Sequence, residues 1–114
     1  MKASRRAGDK RRLAAVGFLQ FAVCPADPEA NLHSLAIALE SLHPAADSLL
    51  VLPELWATGF CYERLGQLAR PLAGVRAEVL RLAARYHVLL AGSLPEAIDG
   101  GKRCYNTLQL DGPE

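Results

Sequence analysis

Long apolar runs, a charge of one sign and paired cysteines are all missing from this 114-residue chain, and each absence removes a class of protein. No stretch approaches the roughly 18 apolar residues that cross a bilayer, so no membrane partner is expected. Cysteine is limited to Cys24, Cys61 and Cys104, an odd number at wide spacing without a CxxC pair. That pattern fits neither a disulfide framework nor a zinc site. His33, His43 and His87 are equally scattered, so no metal is expected. Aromatic residues make up 6% of the chain and none interleaves with the charges of the basic residues 1–12, which argues against a nucleic-acid partner. No internal repeat or low-complexity segment is present.

What the chain has is enough apolar content, 51%, to build one core of modest size. Its formal net charge of +1 conceals an asymmetry. Residues 1–12, MKASRRAGDKRR, hold six of the thirteen Lys and Arg against the single acid Asp9, which leaves a mildly acidic body. The basic head reads as a flexible extension and residues 13–114 as the folded part. The junction KRRLAAVGFLQFAVCPA imitates a signal peptide. However, Gln20 interrupts its apolar stretch, no small-x-small cleavage pattern follows, and Val23 precedes Cys24 where a lipoprotein site wants a small residue. A cytoplasmic protein is expected.

The element pattern alternates. LAAVGFLQFAV (13–23) is apolar, with β-branched and aromatic residues, and predicts a strand ending before Pro25. A helix follows, with Asp27 as N-cap, Pro28 at its first position and Glu29 at the positive end of the dipole. Leu32, Leu35, Ala36, Leu39 and Leu42 mark its apolar face, and Pro44 stops it. SLLVLP (48–53) is a short continuous apolar strand of the kind buried on both faces. After a loop and a short helical stretch around ERLGQLA, the segment GVRAEVLRLAARYH predicts a helix. Its inward residues are Val75, Val79, Leu82, Ala83 and Tyr86, and Arg76, Arg81 and Arg85 lie outward. VLLAGSLPEA (88–97) and RCYNTLQLD (103–111) are two further strands joined by the turn chemistry of IDGGKR. The order β-α-β-α-β-β describes an α/β sheet with packed helices. Asp111-Gly112-Pro113 is again turn material that invites another strand, so the chain reads as cut within a hairpin, with a sheet edge uncovered.

Ligands of open α/β sheets bind beyond the carboxyl ends of the strands. Glu54 stands there, just past SLLVLP, where an apolar floor would partly desolvate its carboxylate and suit it to general-base work. The bland alternative is a strand-capping glutamate paired with an arginine. Its neighbours decide between the two. LVLPELWATGF, with Pro53, Glu54, Thr58, Gly59 and Phe60, resembles the signature of the carbon–nitrogen hydrolase (nitrilase) superfamily. So do GFLQFAV, the helix opening DPEANL, VLLAGSLPE and YNTLQLDGPE, in that order over residues 13–114.

The resemblance implies the N-terminal part of an α-β-β-α sandwich, a sheet with helices packed on one face, often paired into homo-oligomers. It implies hydrolysis of a small amide or nitrile, without cofactor, by a glutamate, a lysine and a cysteine. Glu54 matches the glutamate, the general base. The lysine and cysteine positions would fall beyond Glu114, so the chain alone is expected to be inactive. PELWATGF leans toward amides such as ω-amides.

Lys102 stands before Tyr105-Asn106-Thr107, in the turn, and is the wrong lysine by motif. Cys61 lacks the family's cysteine context and a positive neighbour to activate it. Cys24 and Cys104 read as small apolar strand residues, and Asn106 as a structural hydrogen-bonding residue. Trp56, Phe60 and Tyr62 are aromatic residues of an apolar loop that could line a substrate pocket or belong to the core, and Phe60 and Tyr62 are taken as the candidate substrate-binding residues. The alternative function is a non-catalytic binding or subunit-interaction module that keeps the half-sandwich. A nucleotide-binding unit fails for want of GxGxxG or a P-loop.

Overall fold

A computed structural model of the protein describes residues 12–70 and 72–113. The basic head expected over residues 1–12 lies, but for Arg12, outside the described residues. One four-stranded sheet runs in the order β1-β2-β3-β4. Its strands are β1 (Val16–Phe18), β2 (Leu49–Val51), β3 (Leu89–Ile98) and β4 (Arg103–Asp111). β2 is parallel to both of its neighbours, and β4 returns antiparallel along β3. Helices α1 (Pro28–Leu42), α2 (Leu65–Ala69) and α3 (Leu72–Tyr86) fill the connections, with 3₁₀ turns at Tyr62–Arg64 and Asp99–Gly101.

The first helix begins as its sequence dictates. The Asp27 carboxylate accepts the amide of Ala30 at 3.1 Å, Pro28 occupies the first turn, and Glu29 faces the positive end of the dipole. The helix ends at Leu42. His43 then turns left-handed at φ 49° and its N–H closes on the Leu39 carbonyl at 3.1 Å. The buried stripe is Asn31, Leu35 and Leu39, four residues apart. Leu42, expected on that stripe, is half exposed at the last position of the helix. On α3, Leu72, Val79 and Ala83 are buried, while Val75, Leu82 and Tyr86 pack against the core. These helices cover Leu50, Leu90 and Leu94 of the sheet.

The first strand is shorter than the apolar run of residues 13–23 suggests. In the β1–β2 ladder Leu49 donates to the Ala15 carbonyl at 2.9 Å, and rungs in that series recur every second residue. The next but one would be donated by residue 53. That residue is Pro53, which has no N–H. The ladder therefore ends once Leu19 has donated to the Val51 carbonyl at 2.9 Å, and the chain leaves the sheet. Cys24 consequently lies exposed in the following loop and not in a strand. Cys104 is half buried on β4 as a strand residue.

The other face of the sheet carries no helix. Alternation puts Val16, Phe18, Val51, Leu108 and Leu110 on it, and all five are exposed, Phe18 to 71% and Leu108 to 70%.

Candidate active site

Glu54 stands three residues beyond β2, the strand with a parallel neighbour on each side. The backbone on both sides of it is tied to β3. Leu52 donates to the Ala91 carbonyl at 2.7 Å, and Leu55 donates to the Ser93 hydroxyl oxygen at 2.8 Å. Leu55 has φ 48°, a left-handed conformation that a leucine adopts only when its surroundings impose it. The imposing contacts are visible. The Leu55 carbonyl accepts from Thr58 at 3.1 Å and from Gly59 at 2.7 Å, closing a tight turn.

Beneath the turn, Leu55, Trp56, Ala57 and Thr58 are all buried. Trp56, 2% exposed, lies against Gly92, where a Cβ would stand 2.7 Å from the indole Cδ1. The glycine of the Gly92-Ser93 pair thus makes room for the indole, and the serine holds the next residue of the loop. Asn31 secures the far side. Its amide nitrogen donates to the Ala57 and Cys24 carbonyls, each at 2.8 Å, and its oxygen accepts from the Cys24 amide at 2.7 Å. Gly59, at φ 69°, packs on Val23 and Pro25 where a Cβ would touch both.

The Glu54 side chain is exposed, contrary to the partial desolvation expected from its apolar surroundings. The floor is apolar, but the helix-free face of the sheet has no layer above it. Glu54 lines a shallow hollow of about 320 Å³ floored by Val51, Leu52, Ala91 and Leu108, with Ser93 and Asn106 at its rim. From β4, the Asn106 amide nitrogen donates to Glu54 Oε1 at 2.6 Å. Asn106 is itself exposed, and its bond serves the carboxylate where a structural role was expected. No arginine pairs with Glu54 among the described residues. A second small hollow, bounded by Phe18, Gln20, Leu52 and Pro53, continues across the end of β1.

The other candidates fall elsewhere. Phe60 and Tyr62, 51% and 73% exposed, pair their rings at 6.0 Å and 57°. They line a separate depression with Cys61, Glu63 and Arg64. Cys61 donates its thiol to the Thr58 carbonyl at 3.2 Å. Lys102 is exposed in the β3–β4 connection. Among the described residues, neither a lysine nor a cysteine lines the Glu54 hollow. Among the described residues no three His, Cys, Asp or Glu side chains cluster to hold a metal, and no helix is long and apolar enough to cross a membrane.

Asn31 and Ser93 were missed by the sequence reading. For Asn31 a signal existed, a polar residue in four-residue register with Leu35 and Leu39. For Ser93 there was none, since its partner lies 38 residues away in sequence.

Residues 12–112 match the model of a protein family described as carbon-nitrogen hydrolase. No match is found among curated proteins. Among solved structures, a CN-hydrolase superfamily protein from Xanthomonas campestris, with an arsenic adduct in its active site, is 26% identical with a TM-score of 0.69. The alignment covers 82% of this chain and 34% of that one. Nit3 of Saccharomyces cerevisiae, a member of branch 10 of the nitrilase superfamily, is 22% identical with a TM-score of 0.58. That match covers 80% of this chain and 36% of the yeast protein. The NitN amidase from Neterenkonia sp. AN1 is 23% identical with a TM-score of 0.59, covering 86% of this chain and 45% of that one. The chain thus spans less than half the length of each of these structures.

Proposed function

The chain belongs to the carbon–nitrogen hydrolase family, and on that premise we propose that residues 13–114 form the base-bearing part of a hydrolase acting on a small amide. Glu54 is its general base. The observation that carries the reading is the fixing of Glu54. Two backbone bonds to β3 bracket it, and an amide donor from β4 meets its carboxylate over an apolar hollow at the strand ends.

In this reading Glu54 takes the proton of a cysteine thiol, and the thiolate attacks the amide carbon. Glu54 passes that proton to the leaving nitrogen as the C–N bond breaks and ammonia departs, and water cleaves the resulting thioester to a carboxylic acid and the free thiol. A lysine steadies the oxyanion. The family resemblance assigns the cysteine and lysine to none of the motifs in this chain, and among the described residues neither type lines the hollow, so the reading takes the isolated chain to be inactive. The residues PELWATGF favour ω-amides over nitriles as substrates, and Phe60 and Tyr62, on the loop that continues from Glu54, are the candidate substrate-binding residues. No cofactor is required by this chemistry. The reaction is placed in the cytoplasm, and the exposed apolar residues of the helix-free face support association with further polypeptide, a second copy included.

Expressed from its complete reading frame, the protein is expected to release ammonia from a small aliphatic ω-amide. Glu54→Gln is expected to lower kcat by about 10²–10⁴-fold while leaving the urea midpoint unchanged. Unchanged turnover in the variant would overturn the role of Glu54. A lack of release from amides and nitriles alike would overturn the reaction class and favour the binding-module alternative.

A further inference from the structure

We propose that Asn106 is a positioning residue that commits Oε1 of Glu54 to a hydrogen bond and leaves Oε2 as the proton-accepting atom. The inference rests on the general-base reading of Glu54 and assigns the two oxygens of its carboxylate different tasks.

The β3–β4 register makes the arrangement possible. Pro95 pairs with Asn106 and Ser93 with Leu108, so Ser93 and Asn106 lie on neighbouring strands of the same sheet face. Ser93 takes the N–H of Leu55, and Asn106 donates to the carboxylate of Glu54, the residue before it. Adjacent strands thus hold adjacent residues of the loop, one through backbone and one through side chain. Without the second bond the glutamate would have three freely turning torsions, which the bond restricts. An amide donor to an ionised oxygen is a charge-assisted bond, short and directional, and it fixes the plane of the carboxylate. At 2.6 Å the contact has that length.

Asparagine suits the position for a reason of charge. Its NH₂ group donates in every protonation state of its neighbour, and it adds no charge of its own. Lysine would pair with the carboxylate and hold it as an ion, competing for the proton that the base must accept. Aspartate would place a second carboxylate against the first. No described residue bonds Oε2, so that atom faces a thiol brought over the hollow. Glu54 is also the only titratable side chain lining the hollow among the described residues. A second carboxylate, Glu96, accepts from the hydroxyl of Thr107, the residue after Asn106, at 2.9 Å, and the Glu54→Gln control distinguishes the two.

The test is nuclear magnetic resonance on the ¹⁵N-labelled 114-residue chain, following the side-chain NH₂ of Asn106 from about pH 3 to about pH 7, a range that spans carboxyl titration. The NH₂ resonances are expected to move with a single protonation event and to stay still in Glu54→Gln. A signal that is flat in the wild type, or that moves equally in Glu54→Gln, would overturn the proposal. Asn106→Ala supplies the reciprocal reading. The Glu54 carboxyl ¹³C resonance should be displaced in the variant at neutral pH, and an unchanged resonance would count against the contact. The two readings fail separately. Loss of the Asn106 signature with amide turnover intact removes the positioning role alone, whereas missing turnover with the signature intact removes the reaction class and keeps the contact.

Discussion

Asn31 is 0% exposed, and all of its polar capacity that the structure pairs goes to backbone groups of two loops. It joins the Cys24 segment to the loop that carries Glu54, so its contribution to stability and to the site is the same set of bonds. Truncation would leave buried carbonyls and an amide without partners. Asn31→Ala is expected to destabilise the fold by about 2–3 kcal/mol, read as a lower urea midpoint at unchanged slope. Glu54 was legible in the sequence because its signal is local, a carboxylate directly after an apolar strand and a proline. Ser93 and Asn106, which hold it, were not. Their partners lie 38 and 52 residues away, and no local pattern encodes a contact that depends on strand register. The expected desolvation of Glu54 failed for a related reason. The floor of a site can be read from neighbouring residues, while its roof depends on which layer covers them.

At the scale of elements, α1 was readable along its length, since its cap and four-residue spacing are written within the segment, while α3, expected from Gly74, begins at Leu72. The Asp27 cap is such a local device. Asp27→Ala is expected to cost about 1 kcal/mol, with loss of amide-exchange protection confined to the first turn of α1. Protection lost evenly along the helix would contradict a local role. The strands were less legible, β1 above all. Its apolar run continues to Val23, but pairing stops where β2 can no longer donate, at Pro53. Strand length is set by the neighbour, and hydrophobicity alone cannot report it. The same proline ends the ladder and begins the loop that presents Glu54, so the truncation of β1 and the placement of the base have one cause.

At the scale of the molecule, helices cover one face of a four-stranded sheet and leave the other bare, with Phe18, Leu108 and Leu110 exposed. In the proposed reading this apolar face, with a carboxylate and its amide partner at the margin, is one part of a site whose roof and further reactive groups are supplied by additional polypeptide. This requirement separates a portion of a hydrolase from a self-contained binding module, which would need a cover but no nucleophile. The most direct measurement is the sequence of the encoding DNA past the codon for Glu114. The account predicts an in-frame continuation with a lysine after a glycine-containing turn that follows β4, and a cysteine after a later strand. An in-frame stop, or a continuation lacking both residues, would contradict it.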